Sequence, residues 1–355
     1  KNYINIDQTD FINLINICTN IYFPLKGFCD LDEYKKILNE RKLLRYNWTI
    51  PIILSQKNKK KLKLNKKYFL RFKKRIVGRI LINSIFRIDK KKFCKKLLNT
   101  FSSNHPYVKK ILNTKNLFIG GKVDMLKRFL PNDNYLITNK IKNRKSLKNT
   151  VVFSTRNVNH LGHQFLHEYL IKKGKRLVVI IIVNEKNKYD PDKIIQSYEI
   201  MKKNLKLYRN LIIGKIYLPS FYAGPNETFL QATCLKNFGF NSFLVGRDHA
   251  GYKKFFKKYD SQNIFKKLKK LKINIIKTKE PLMCSKCLKI SFENSRICNC
   301  SKTFKNISIN GKDIKQMLIQ NNFKMLKRFT NRFVFNFLKK NRKTLETNKG
   351  LKFYV

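Results

Sequence analysis

Arg156, His160 and His163 stand close together in the stretch Ser154-Thr155-Arg156-Asn157-Val158-Asn159-His160-Leu161-Gly162-His163. Imidazoles three residues apart share one face of a helix. A guanidinium just before them offers a planar donor fork suited to phosphate or sulfate. Alone, an H-x-x-H pair reads as surface or core filler. With Ser154, Thr155, Arg156 and Asn157 in the same stretch, it reads as an anion site. A second cluster is Gly246-Arg247-Asp248-His249-Ala250-Gly251. Its glycines permit close backbone approach, Arg247 adds a cation opposite Arg156, and Asp248 is placed to orient His249 or an arginine. Taken singly, that loop is also readable as a glycine-capped turn. A third cluster is Tyr222-Ala223-Gly224-Pro225-Asn226-Glu227. Together they suit polyphosphate chemistry, in which a protein chiefly positions groups and neutralises developing charge. The chain holds no G-x-x-x-x-G-K-S/T phosphate loop, and Ser154 lacks a G-x-S-x-G setting.

The surrounding pattern places these clusters. Thr150–Phe153 reads as a buried strand, 154–159 as a polar turn, and a helix opens near His160. A helix N-terminus fed by such a turn favours negative charge through its free N–H groups and dipole. Strands follow at Arg176–Val183, Leu211–Leu218, Ser242–Val245 and Ile273–Ile276, alternating with helices at Pro191–Tyr208, Gly224–Phe238 and Ser261–Leu271. This rhythm predicts a doubly wound parallel sheet with ligands at the carboxyl ends of its strands, where all three clusters fall. Residues 1–148 lack that rhythm. Apolar runs at Trp48–Leu54, Tyr68–Phe72 and Arg79–Ile88, with one helix around Leu31–Arg41, suggest a mainly β domain. Gly120-Gly121 reads as a break near a strand end. Residues 149–278 form the predicted catalytic domain, and 279–355 a small C-terminal domain with helices over Lys312–Gln320 and Met325–Lys340.

The 355 residues carry 79 Lys and Arg against 21 acids, a net charge of +58. That excess suggests a polyanion partner, but it is spread along the whole chain, as an AT-rich genome would write it. No apolar run approaches the roughly 18 residues of a membrane span, and the start shows no signal-peptide pattern, so cytoplasm is the expectation. Four cysteines are scattered, and four cluster as Cys284-x-x-Cys287 and Cys298-x-Cys300. The cluster reads as a structural tetrahedral zinc site, with reduced buried thiols as the alternative.

In its ordered motifs the chain resembles the ATP sulfurylase (sulfate adenylyltransferase) family. The 154–163 stretch is similar to the family's Q-x-R-N-P-x-H-x-x-H motif. Tyr222-Ala223-Gly224-Pro225, Lys236-Asn237-Phe238-Gly239 and the intact Gly246–Gly251 loop follow in order, and Phe23-Pro24-Leu25, Gly27-Phe28, His105-Pro106 and Gly120-Gly121 match upstream landmarks. The resemblance implies an α/β multidomain fold: a PUA-like N-terminal domain, a central Rossmann-like nucleotidyltransferase domain and a small C-terminal α/β domain. It implies ATP plus sulfate giving adenylyl sulfate and pyrophosphate, magnesium accompanying ATP, and a homo-oligomer. By resemblance Arg156, Arg247, Ala250 and Ser154 would hold sulfate. Thr155, Asn157, His160 and His163 would hold phosphates, with Gly246–His249 and the backbone of Met283, or of its neighbour Leu282, beside the nucleotide. Some bacterial and archaeal members look similar at the cysteines, carrying zinc there. Departures are Ser154 for Gln, Val158 for Pro, and Asn310-Gly311-Lys312 with Lys315 for an S-G-T…Arg segment. No kinase-type phosphate loop follows, so a fused adenylyl-sulfate kinase domain is not expected. A degraded paralogue, or a basic nucleic-acid-binding protein using the PUA-like domain, is the alternative reading.

Overall fold

The computed structural model describes residues 3–345 apart from 57–61, 131–135, 138–146, 148, 186, 253, 269–270, 296–297 and 303–304. The N-terminal part comprises β1 (Tyr3–Asn5), α1 (Gln8–Cys18), β2 (Gly27–Phe28), α2 (Leu31–Glu40), a small hairpin β3 (Lys42–Leu43) and β4 (Tyr46–Asn47), β5 (Leu54–Ser55), β6 (Lys67–Phe72), β7 (Arg75–Phe86), α3 (Lys90–Leu98), α4 (Pro106–Leu112) and β8 (Phe118–Met125). Its main sheet runs β1-β6-β7-β8-β2, with β5 also on β8. In β6 the side chains of Tyr68, Leu70 and Phe72 point inward while Lys67 and Phe69 point out, the period of two that a half-buried strand requires.

Three helices join the one expected here. In α1 every residue from Thr9 to Ile17 is buried, so no polar face marks its period, although Asp7 and Asp10 form a reciprocal capping box at its start. Of the Trp48–Leu54 run only Leu54 enters a strand, while Trp48, Ile50 and Ile52 fill the core from backbone outside the strands. Gly120 and Gly121 lie inside β8 rather than at a break. A Cβ on Gly121, whose φ is +153°, would stand 2.0 Å from the Leu81 oxygen. Close passage of neighbouring backbone, not chain reversal, sets these glycines.

The second sheet contains β9 (Thr150–Thr155), α5 (Leu161–Lys172), β10 (Arg176–Val183), α6 (Pro191–Asn204), β11 (Ile212–Tyr217), α7 (Pro225–Phe238), β12 (Ser242–Val245), α8 (Asp260–Lys267) and β13 (Asn274–Lys277). It is wholly parallel, in the order β11-β10-β9-β12-β13. The chain winds outward from β9, then returns to its other side at β12, so a crevice opens between these strands at their carboxyl ends. Val152, Val178 and Ile180 face a core shared with the N-terminal part, and Val151, Val179 and Ile181 face the other core, shared with the C-terminal helices. Burial on both faces explains why β10 is one unbroken apolar run.

The start of α7 pins the N-terminal part in place. Asn226 donates to the Leu97 carbonyl at 2.8 Å, while its own carbonyl accepts from the Thr49 hydroxyl at 2.6 Å. The remainder is a three-stranded antiparallel sheet of β14 (Pro281–Cys284), β15 (Ile290–Phe292) and β16 (Asn306–Ser308), then α9 (Gly311–Ile319), α10 (Phe323–Phe329) and α11 (Arg332–Lys340). The helix expected over Met325–Lys340 is two, because Asn331 caps a new one by accepting from the Val334 N–H at 3.0 Å. Among the described residues no helix is long and apolar enough to cross a membrane.

Candidate active site

A cleft of about 600 Å³ opens at the β9/β12 crevice. The strand expected to end at Phe153 runs on to Thr155, which lifts Ser154 and Thr155 to its edge. His160 is the N-cap of α5, and its Nδ1 accepts the His163 N–H at 3.3 Å. A nitrogen that accepts carries no proton, so the neutral ring holds its proton on Nε2. His160 is 3% exposed, and its Nε2 is buried without a partner. Burial pushes the ring's pKa down to about 3. Burial first, then His160 and His167, hold His163 well below the usual imidazole range. The two rings lie 3.8 Å apart, and His163 Nδ1 meets the Tyr198 hydroxyl at 3.1 Å. At neutral pH this pair consists of oriented neutral donors at a helix N-terminus. That suits stabilisation of a growing negative charge and not proton transfer.

Arg156 enters the cleft from the same turn. Its guanidinium donates to the Ser220 hydroxyl and lies over the Tyr222 ring, 5.6 Å from the centroid. The 218–224 loop therefore sets where this cation points. Thr155 Oγ1 accepts the Asn157 N–H at 3.0 Å, tightening the turn. Asn157 packs so closely on α9 that a Cβ on Gly311 would sit 2.3 Å from its Cγ. Ser154 reaches the cleft with a buried hydroxyl that has no partner.

Arg247 differs from expectation. It lines the cleft but is no free cation opposite Arg156, because it donates to Glu280 at 2.5 Å and meets Asp248 at 3.3 Å. Asp248 thus orients the arginine and not His249. His249 Nε2 pairs instead with Gln231 Oε1 at 2.7 Å, and burial lowers that imidazole to about 4. Ala250 borders the cleft with φ +56°, while Gly246 has open space where a Cβ would stand. Met283 is a correction. It is fully buried within β14, paired to Ile290 and Ile307, and lies outside the cleft, whose wall there is Lys279–Pro281. The sheet has already claimed the backbone proposed for adenine.

Lys188 was missed from sequence, and Lys312 was noted only as a departure from a motif. Both line the cleft. Burial, then repulsion from Lys315, Arg156 and Lys312, lowers the Lys188 pKa. Its place in the loop after β10, at a strand carboxyl end, was the available signal. With Arg247 neutralised, Arg156, Lys188, Lys279 and Lys312 supply the cleft's positive field.

The cysteine cluster lies apart from the cleft. The four sulfurs of Cys284, Cys287, Cys298 and Cys300 fall within 4.8 Å of one another. Tetrahedral bonds of about 2.3 Å to zinc require sulfurs about 3.8 Å apart, so small adjustments would close a metal site. None of the four lines the cleft.

Comparison with known proteins now adds to the geometry. The ATP-sulfurylase family profile matches residues 136–341, and a PUA-like domain profile matches residues 1–128. Sulfate adenylyltransferase of Pyrococcus abyssi is 28% identical over 326 residues, covering 89% of this chain and 85% of that protein. The enzymes so named from Ignicoccus hospitalis (29% identity, 89% and 85% covered) and Carboxydothermus hydrogenoformans (27%, 89% and 86%) are similar at the same level. Among solved structures, a hexameric APS kinase from Thiobacillus denitrificans superposes with a TM-score of 0.70 at 13% identity, over 96% of this chain and 63% of that one. At that identity the likeness shows the fold alone. A parallel sheet with its cleft at the switch point, a PUA-like domain ahead of it and a profile match over more than half the length lead to one conclusion: this chain belongs to the ATP-sulfurylase family.

Proposed function

We propose that the chain is a sulfate adenylyltransferase that joins ATP and sulfate by direct in-line attack at the α-phosphorus. A sulfate oxygen forms the new bond to phosphorus, and the α–β bridging oxygen leaves with its electron pair as pyrophosphate. One observation carries this reading: His160 and Arg156 line the same cleft, and the Nε2–H of that imidazole is buried without a partner. In this assignment Arg156, with the Ala250 backbone and Ser154, receives sulfate. His160 and His163 donate to oxygens that gain charge as pyrophosphate departs, and Thr155 and Asn157 hold the turn that aims them. Lys188 and Lys312 attract the outer phosphates, and 246–249 borders the nucleoside. Among the described residues lining the cleft no side chain is set to act as a nucleophile, so no covalent adenylyl-enzyme is needed.

Magnesium accompanying ATP would shield its phosphates. The cleft carboxylates Asp248 and Glu280 both pair with Arg247, so among the described residues the cleft lining offers no separate carboxylate cage for the ion. Zinc in the cysteine cluster would brace the β14–β15 hairpin, which Arg328 also ties down through the Ser285 carbonyl at 2.5 Å. A homo-oligomer is a further proposal, supported by the hexameric state of the structural neighbour and checked by light scattering.

The test is molybdate-dependent release of AMP and pyrophosphate from ATP. Molybdate replaces sulfate, and its mixed anhydride hydrolyses at once, so an uphill equilibrium does not mask turnover. Turnover by the wild type and a loss of about 10²- to 10³-fold in Arg156→Ala are expected, the scale for removing one donor to a transition-state oxyanion. An inactive, well-folded wild type would overturn the reading.

A further inference from the structure

We propose that Glu227 is a positioning residue that couples the loop holding Arg156 to the loop carrying His249. This rests on the sulfate-side assignment of Arg156 given above. Glu227 is the third residue of α7 and is 4% exposed. One carboxylate oxygen, Oε2, accepts the N–H groups of Phe221 at 3.1 Å and Ala223 at 3.2 Å. That fixes the 220–224 loop, in which Ser220 receives the Arg156 guanidinium and Tyr222 lies beneath it. The loop needs fixing, since Tyr222 has φ +53° and Gly224 φ +48°. A Cβ on Gly224 would also meet the Phe256 ring at 2.6 Å. The other oxygen, Oε1, faces Gln231 Nε2 at 3.4 Å, and Gln231 Oε1 takes His249 Nε2 at 2.7 Å. From the opposite side His105 of the N-terminal part meets the Tyr222 carbonyl at 3.1 Å. A single buried carboxylate therefore joins both walls of the cleft without touching its contents.

The charge of Glu227 matters to this linkage. Burial raises its pKa to about 7, against the lowering effect of Arg156 and the backbone N–H groups of Ala223, Phe221 and Tyr222. The other titratable groups facing it do not change charge near neutrality. Burial raises Tyr22, Tyr107 and Tyr222, and lowers His105 and His249. Ionised Glu227 accepts both N–H groups and favours Arg156 in place. Protonated, it loses acceptor strength and releases the loop.

The variant is Glu227→Gln, of nearly the same shape but unable to bear charge. The full chain is compared with wild type and with Arg156→Ala in the molybdate and sulfate assays. The expected result is a rise of about 10-fold or more in the KM for sulfate, the scale of one charged hydrogen bond, with the KM for ATP within about twofold of wild type. The wild-type sulfate KM should fall as pH rises through about 7, and the Glu227→Gln profile should be flat. Glu227→Asp, which keeps the charge, should restore part of the pH dependence. If Arg156→Ala raises the sulfate KM but Glu227→Gln leaves both KM and pH profile unchanged, the coupling is refuted. Equal weakening of ATP and sulfate would also refute it. If Arg156→Ala does not affect sulfate, the sulfate-side assignment fails first.

Discussion

Replacement of His160 by Asn separates its two roles. Nδ1 caps α5 by accepting the His163 N–H, whereas Nε2–H is buried without a partner in a ring that lines the cleft. Asparagine is among the best N-cap residues, so the cap survives, and capping loss of about 1 kcal/mol is avoided. What disappears is the donor at the depth of Nε2. A hydrogen bond to a charged group contributes about 1.5–3 kcal/mol. At about 1.4 kcal/mol per tenfold, kcat should fall about 10- to 150-fold with the melting temperature nearly unchanged. His160→Ala should show the same kinetic loss together with reduced stability. The assay is steady-state pyrophosphate release with molybdate, alongside thermal melting. Full kcat in His160→Asn would refute the donor role, and equal loss of melting temperature in both variants would refute the separation.

Acid should destabilise the protein early. Burial holds His160 and His167 at about 3 and His249 at about 4, with His163 also well below normal. The unfolded chain binds these protons below about 6.5 and the folded chain does not, so stability falls as pH drops from there towards the folded values. Each fully neutral histidine contributes up to about 1.4 kcal/mol per pH unit, and melting between pH 8 and 5 measures their sum less the opposing contribution of Glu227, whose raised pKa favours the folded chain as pH falls below about 7. Ser154→Gln should lower the sulfate KM by about 3- to 10-fold, since a longer amide would use space where a buried hydroxyl now has no partner, a gain of about one hydrogen bond. Cys287→Ser should abolish the zinc binding proposed for the cluster, measured by a chromogenic chelator after zinc loading, and lower the melting temperature. At low temperature kcat should stay within about threefold, because the cluster lies outside the cleft.

The sequence reveals features that depend on local pattern. The β10 run is legible because both faces of a central parallel strand are buried. The 154–163 stretch is legible because strand end, turn and helix start adjoin in the chain. Features set by distant partners are not legible. Arg247 meets Glu280, thirty-three positions further on, and that pairing removes the free cation expected opposite Arg156. The burial of Met283 follows from pairing with two strands that flank it in space. Helix α1 is hidden because uniform burial erases its period, and Lys188 because its place after a strand end does not single it out among so many lysines until the fold sets it in the cleft.

The account depends most on direct transfer between ATP and sulfate. Isotope exchange between labelled pyrophosphate and ATP tests this, run with and without sulfate. The in-line reading predicts label in ATP only when sulfate is present, since pyrophosphate can return only to adenylyl sulfate. Label entering ATP with no sulfate would reveal a covalent adenylyl-enzyme and contradict it.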